Sequence, residues 1–169
     1  MGLKRAFVIG LCLAAVAAVV MLAAVIIRPP KIYISEICPS NSETSKKTAM
    51  QDKNGEPSDW IEIYNPTNKD ISLTGFSLSK NGGGDQPLGG YVIKAHDYII
   101  VYCSSAGFEN ADFPHADFSI GKVSEAEIIL KYDSLQCESI KMPKLNKGVS
   151  YSKNVKGEMY VSEPTPLAA

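Results

Sequence analysis

Hydrophobic and polar residues alternate with a period of two in several short segments of the chain, which is the pattern of half-buried β-strands. The clearest case is the segment 58–66, S-D-W-I-E-I-Y-N-P. Its alternation assigns Ile61 and Ile63 to one face, and Trp60, Glu62 and Tyr64 to the other. The Asn-Pro dipeptide ends the strand, because proline has no backbone N–H and Asn-Pro favours a turn.

The segment 31–37 has the same alternation and predicts the first strand. An unbroken period of two would place its side chains as follows: Ile32, Ile34 and Glu36 on one face, and Tyr33, Ser35 and Ile37 on the other. The predicted faces therefore separate Glu36 from Tyr33 and group it with apolar residues.

The rest of the chain predicts an all-β fold. In the segment 71–79 the alternation changes phase at Gly75, which indicates a β-bulge. The segment 98–103 is apolar throughout and predicts a central strand. About nine short strands at close spacing, with no helical period after Ile27, are typical of a β-sandwich.

An uncharged apolar run covers residues 6–27, which as a helix is about 33 Å long and can cross a bilayer. The basic residues before it favour a cytoplasmic N-terminus at 1–5. We therefore expect a transmembrane signal anchor at 6–27, a linker at 28–31 and a single-pass cell-membrane protein whose globular domain lies outside the cytoplasm. The alternative is a signal peptide cut near 15–17, which would release a secreted protein.

Charge argues against nucleic acid as the main partner. Removing Lys4, Arg5 and Arg28 from the 17 basic residues leaves 14 lysines against 18 acidic residues, a net charge of −4 after residue 30. This region has no arginine, the residue that binds phosphate and guanine in a bidentate manner.

Lysines nevertheless concentrate near the C-terminus. The segment 139–157 contains five lysines and no acidic residue, and Lys141, Lys144 and Lys147 are the candidate binding residues among them. One interpretation is a solvated loop; the other is a patch that faces an anionic envelope polymer or lipid.

Three cysteines follow the apolar run, so the chain is not a disulfide scaffold. Buried reduced cysteines are the simplest interpretation. Cys38 and Cys103 both end apolar strands and form the first pair to consider for a possible disulfide.

Glu36 and Glu62 both lie within predicted strands, and a pair of carboxylates can hydrolyse glycosides or bind a metal. Glutamates that are hydrogen-bonded within a sheet are the commoner case. No nucleophile motif is present, so we expect no catalytic residue and no enzyme activity.

No cofactor or metal motif is present either. His96 and His115 lack paired-ligand spacing, and the loop that begins at Asp52 has isoleucine instead of glutamate at its twelfth position. The glycine-rich segment 81–90 lacks the lysine and the following helix of a phosphate-binding loop.

Several blocks resemble the lamin-tail domain, the immunoglobulin-like β-sandwich found in nuclear lamins and in many bacterial exported proteins. The blocks, in the family's order, are I-Y-I-S-E-I at 32–37, S-D-W-I-E-I-Y-N-P at 58–66, I-S-L-T-G-F-S-L-S at 71–79, F-S-I at 118–120 and P-T-P at 164–166. The resemblance implies one such domain at 32–166, followed by a tail at 167–169, with an adhesive role and no chemistry.

Three functions are expected in order of preference. The first is a membrane-anchored, extracytoplasmic, non-catalytic module that binds a protein or an envelope polymer. Trp60, Glu62 and Tyr64 are its candidate binding residues on the predicted strand 58–66, and the two aromatic residues are either exposed as a platform or covered by the loop 39–57. The second is an assembly module that positions a separately encoded enzyme. The resemblance implies this role, because related bacterial domains are often joined to a spore-coat-type kinase or to a nuclease. The third is a glycan-active enzyme that uses Glu36 and Glu62.

Overall fold

The computed structural model describes residues 29–39, 51–107, 112–121 and 125–167. The predicted anchor at 6–27 and most of the loop 39–57 lie outside these residues. Within the described ranges, no helix has the length and apolar character that a membrane span requires. Residues Lys31–Ala169 form one compact unit.

The described part of the chain contains twelve strands. In chain order they are β1 (Tyr33–Cys38), β2 (Asp59–Tyr64), β3 (Ile71–Ser72), β4 (Phe76–Lys80), β5 (Gln86–Pro87), β6 (Val92–Ile93), β7 (Tyr98–Cys103), β8 (His115–Ala116), β9 (Ala126–Tyr132), β10 (Leu135–Met142), β11 (Ser150–Lys153) and β12 (Met159–Ser162).

The strands form two main sheets. The first has six strands in the order β12-β11-β1-β2-β7-β8, and the second has four in the order β10-β9-β4-β5. Strands β3 and β6 form a separate two-stranded sheet. The strand pairs are antiparallel except for β7 and β8. The predicted β-sandwich is confirmed, and β2 and β7 occupy central positions in its larger sheet.

The main hydrophobic core combines the inner faces of both sheets. It contains Ile34, Ile37, Ile61 and Ile63 from the six-stranded sheet, all with no exposed surface. Leu78, Ile128 and Leu130 contribute from the four-stranded sheet. Burial of these aliphatic side chains supplies most of the driving force for folding, at about 25 cal/mol per Å² of apolar surface removed from water.

A β-bulge in β1 changes the predicted faces of this strand. Ile34 lies opposite Ile63 and Glu36 lies opposite Glu62, so Ser35 is an extra residue with no partner of its own in β2. The insertion reverses the alternation, so Glu36 shares a face with Glu62 and not with Ile34. The assignment of Glu36 to the face of Ile32 and Ile34 was therefore wrong.

The bulge predicted at Gly75 is instead a turn. Gly75 lies between β3 and β4 with φ of 88°, and the Phe76 N–H donates to the Leu73 carbonyl at 2.9 Å. A β-carbon at this position would lie 2.9 Å from Asp133 Oδ1, so glycine is required for both its backbone angle and its size. The alternation of apolar residues therefore changes phase where the chain passes from the two-stranded sheet to the four-stranded sheet.

Candidate functional site

The outer face of the six-stranded sheet, which points away from the main core, carries three rows of side chains. The first row contains Cys38, Trp60 and Tyr102, which lie opposite one another on β1, β2 and β7. Together with Ile100 and Phe113 they form a second hydrophobic cluster. Trp60 has 0% exposed surface, so the interpretation of this residue as an exposed platform was wrong.

The second row is a set of stacked tyrosines. The rings of Tyr33 and Tyr64 are 5.5 Å apart between centroids, and those of Tyr64 and Tyr98 are 4.5 Å apart. All three are half-buried. Tyr64 therefore presents only part of its ring and is held between two neighbours, which is the geometry of a structural ladder.

An ion pair closes the end of this ladder. Lys153 Nζ lies 4.7 Å from the centroid of the Tyr33 ring and pairs with the Glu138 carboxylate. The second oxygen of Glu138 accepts a hydrogen bond from the Ile34 N–H at 2.8 Å. Because Glu138 belongs to the four-stranded sheet and Ile34 to the six-stranded sheet, this carboxylate joins the two layers.

The third row brings the two candidate glutamates together. Glu36 and Glu62 lie directly opposite each other on neighbouring antiparallel strands, and each is only 2% exposed. Paired positions on one face have β-carbons about 5 Å apart, so the side chains are neighbours. The bulge at Ser35 creates this arrangement, because without it Glu36 would point into the core.

The C-terminal segment 163–167, which we call the strap, closes this row. The Thr165 N–H and hydroxyl donate to the Glu36 carboxylate at 3.1 Å and 2.9 Å. The Leu167 N–H donates to Glu62 Oε2 at 2.7 Å, and the Ser35 hydroxyl donates to Glu62 Oε1 at 2.6 Å. Both carboxylates thus have partners although they are buried, as buried charge requires.

Burial is the main influence on Glu62. It raises the pKa of this carboxyl from 4.5 to about 7. The hydrogen bonds from Ser35 and Leu167 act in the opposite direction and lower the pKa, whereas the nearby Glu36 charge raises it further. A carboxyl with a pKa near neutrality beside a second carboxylate is a combination found in acid–base catalysis. Here, however, both carboxyl groups are buried and hydrogen-bonded to the strap.

A groove of about 490 Å³ lies between the edge of the four-stranded sheet and β11. It is lined by Asn81, Glu125, Ala126, Glu127, Lys141, Met142, Pro143 and Tyr151. Lys141 is exposed on its rim, and Lys144 and Lys147 are exposed in the following loop. The ion pairs found among the described residues use other lysines, so these three ammonium groups face solvent. No contact found among the described residues joins these three lysines to Trp60 or Tyr64.

The possible disulfide between Cys38 and Cys103 is not present. Neither Cys38 nor Cys103 is part of a disulfide, and the two residues lie on opposite faces of the sheet, because Cys38 belongs to the outer cluster and Cys103 to the main core. Strand β2 also lies between β1 and β7, so the backbones of these two strands are about 10 Å apart, which is two strand spacings. A bridge needs α-carbons less than about 7 Å apart and β-carbons that point towards each other.

The remaining polar candidates make local contacts. Asp52 accepts hydrogen bonds from the Asn54 N–H at 2.8 Å and the Glu56 N–H at 3.1 Å, which stabilises a turn. His96 Nε2 lies 2.5 Å from Asn68 Oδ1, and His115 Nε2 lies 2.9 Å from the Ser104 carbonyl. Within the described ranges no group of three or more metal-binding side chains occurs.

Sequence reasoning missed the partners of the two glutamates. Ser35 was assigned to the first strand without a role, and Leu167 was placed in the tail beyond the domain. The repeated proline of P-T-P-L was the one available signal, because the prolines leave this segment with isolated N–H groups, each of which needs an acceptor of its own.

Two sheets that are antiparallel except for the pair β7 and β8 pack around a shared core, which places the protein in the class of immunoglobulin-like β-sandwiches. The chain belongs to the Lamin Tail Domain family, whose model matches residues 28–138. The match ends within β10, so β11, β12 and the strap lie beyond it. No curated protein matches the chain.

Proposed function

We propose that this protein is a membrane-anchored, extracytoplasmic module that binds an anionic envelope polymer without catalysing a reaction. Family membership supports a binding or structural module built on an immunoglobulin-like domain. The uncharged run at 6–27 supports the anchor, and the basic residues before it support the orientation.

The observation that carries the choice of ligand is the set of exposed lysines around the groove. Lys141, Lys144 and Lys147 lie on one edge strand and its following loop, and none of the ion pairs found among the described residues uses them, although Glu127 lies opposite Lys141 across β9 and β10. Lysine ammonium groups that are exposed and unpaired attract phosphate-rich or carboxylate-rich polymers at a distance. Tyr151, which is half-buried, gives the groove an apolar part against which a polymer backbone can pack.

The closed carboxylate row supports a non-catalytic role. Glu36 and Glu62 are the pair that a glycan-active enzyme would use, and both are buried beneath Thr165 and Leu167. A general acid must come within hydrogen-bond reach of the glycosidic oxygen. The strap denies that access while it is in place.

One observation favours an assembly role as the second candidate. Strand β12 forms an edge of the six-stranded sheet, and Tyr160 and Val161 on it are 48% and 54% exposed. The strand itself has no charged residue, and charged residues are a common protection of sheet edges. A protein partner, such as a separately encoded kinase or nuclease, could add a strand here.

Replacing the three lysines by glutamine tests the ligand. We expect the variant Lys141→Gln, Lys144→Gln, Lys147→Gln of the domain 31–169 to lose at least about tenfold in affinity for a poly(glycerol phosphate) polymer, because each ammonium near a polyanion contributes about 1 kcal/mol. Binding is measured by isothermal titration calorimetry at two salt concentrations, since added salt should weaken it further.

The matched control replaces three exposed lysines elsewhere, Lys31, Lys53 and Lys69, and therefore changes the net charge by the same amount. Equal losses in both variants would mean that only net charge matters, and the proposed site would be rejected. A tight complex with a protein partner and none with the polymer would favour the assembly role.

The anchor is tested by membrane extraction. We expect the full-length chain to stay with the membrane pellet after an alkaline carbonate wash, because a spanning apolar helix is released only by detergent. Deleting residues 6–27 should move the protein into the soluble fraction. A shortened chain in the culture medium of the unmodified strain would instead establish the secreted alternative.

A further inference from the structure

The strap meets the sheet through an unusual arrangement of backbone donors. Positions 164 and 166 are prolines and have no N–H, so Thr165 and Leu167 supply the two N–H groups between 164 and 167. Both are bound to buried carboxylates, one to Glu36 and the other to Glu62. The sequence P-T-P-L therefore presents N–H groups only where the sheet has an acceptor.

The two glutamates that accept these N–H groups are positioned by the sheet. The register of β1 and β2 holds Glu36 opposite Glu62, and the Ser35 hydroxyl fixes one oxygen of Glu62. The Thr165 hydroxyl adds a side-chain contact to Glu36 at 2.9 Å. Hydrogen bonds to ionised acceptors are stronger than neutral ones, and acceptors already in position cost little to organise.

Apolar contacts contribute little to holding the strap in place, because its side chains are largely exposed. Thr165 is exposed, Leu167 is 50% exposed, and Leu167 has a φ of 58° in a turn that begins at Pro166. Proline before a residue of positive φ fits the central positions of a type II turn. The strap follows β12 directly and Glu163 is its first residue, so a change of backbone angle there would release the rest of the strap from the sheet.

We propose that the Glu36 and Glu62 pair is a peptide-binding site for a Pro-Thr-Pro turn, and that its ligand in trans is the strap of a second copy of this chain. The strap occupies the site in cis in the monomer and competes with the incoming copy. A second copy supplies the same donors in the same order. Exchange of an identical element between protomers is a low-cost route to a dimer.

The test uses a full-length chain whose own strap is disabled. Thr165→Pro removes both the N–H and the hydroxyl that bind Glu36, and it leaves the chain length unchanged. We expect this variant to bind the synthetic peptide S-E-P-T-P-L saturably, and at least about tenfold more tightly than the unmodified chain does, because the strap no longer competes. Binding is followed through the backbone amide resonances of residues 34–37.

Two controls make the result specific. The peptide S-E-P-P-P-L, which lacks the N–H between the prolines, should bind at least about tenfold more weakly. Glu36→Gln in the strap-disabled chain should weaken the parent peptide by a similar factor, because an amide oxygen is a poorer acceptor than a carboxylate. A folded Thr165→Pro chain that binds neither peptide, or binds both equally, would overturn the proposal.

A second measurement covers the case in which Thr165→Pro does not fold. The unmodified chain is then titrated with the parent peptide carrying a photoreactive group in place of Leu167. Crosslinks to β1 or β2 near Ser35 that an excess of unlabelled peptide removes would support exchange of the strap. Crosslinks spread over the whole surface, or none, would count against it.

Discussion

Trp60→Ala is expected to lower the free energy of unfolding by about 4 kcal/mol, the largest effect of any single substitution considered for this domain. The indole has no exposed surface and packs in the outer cluster against Ile100 and Tyr102. Truncation leaves a cavity on a central strand, where β1 and β7 prevent the backbone from collapsing into the space. Unfolding in urea is followed by far-UV circular dichroism, because Trp60 is the only tryptophan.

Trp60→Phe is the matched control. It keeps an aromatic ring in the cluster and removes an indole N–H that has no hydrogen-bond partner among the described residues. Loss of that polar group partly offsets the smaller volume, so the expected cost is about 1 kcal/mol. If Trp60→Ala left stability unchanged but abolished binding of a partner, the indole would be a recognition residue and the buried assignment would fail.

The second large effect concerns pH. The pKa of Glu62 is raised from 4.5 to about 7 in the folded protein, chiefly by burial. A carboxyl whose pKa is higher in the folded state stabilises the fold when protonated, so this contribution is complete below about pH 4.5 and is lost as the pH rises through about 7. We expect stability to fall by as much as about 3 kcal/mol over this window, at 1.36 kcal/mol per pKa unit.

The neighbours of Glu62 are consistent with this direction. Glu36 on β1 raises its pKa, and burial raises the pKa of Tyr98 on β7 above its usual value, so that this neighbouring tyrosine is uncharged at neutral pH. No cationic group is among the causes of its shift. A protonated Glu62 can donate to the Ser35 hydroxyl while its other oxygen still accepts from the Leu167 N–H.

Glu62→Gln should therefore reproduce the protonated state at every pH. We expect the variant to be more stable than the parent at about pH 8, and to lose most of the slope between about pH 5 and about pH 8. The measurement is urea unfolding followed by Trp60 fluorescence across that range. Glu125→Gln, at an exposed position, is the control and should leave the slope intact. If the slope of stability against pH persisted in Glu62→Gln, another titrating group would be its cause.

Much of the larger sheet could be predicted from local alternation. In β2 the two faces follow directly from the order of residues, and Ile61, Ile63 and Trp60 lie where the pattern placed them. The apolar run at 98–103 is β7, a central strand buried on both faces. These features depend on a period of two within one strand, which the sequence contains in full.

The site could not be predicted in the same way. Glu36 changed faces because of one extra residue, Ser35, and a bulge depends on how two strands pair. Its partner Thr165 is 129 residues away in the chain, and Leu167 is 105 residues from Glu62. The possible bridge between Cys38 and Cys103 was excluded for the same reason, because the order of strands in the sheet places β2 between them.

The sequence by itself determined that the chain forms a β-sandwich of the lamin-tail type and which side chains of β2 face inwards, because strand periodicity and turn residues act over a few positions. Only the tertiary structure decided that Glu36 and Glu62 face each other, that a proline-rich strap binds them, and that Trp60 is buried. Those outcomes depend on register and on contacts between distant segments, where one inserted residue reverses every side chain that follows it.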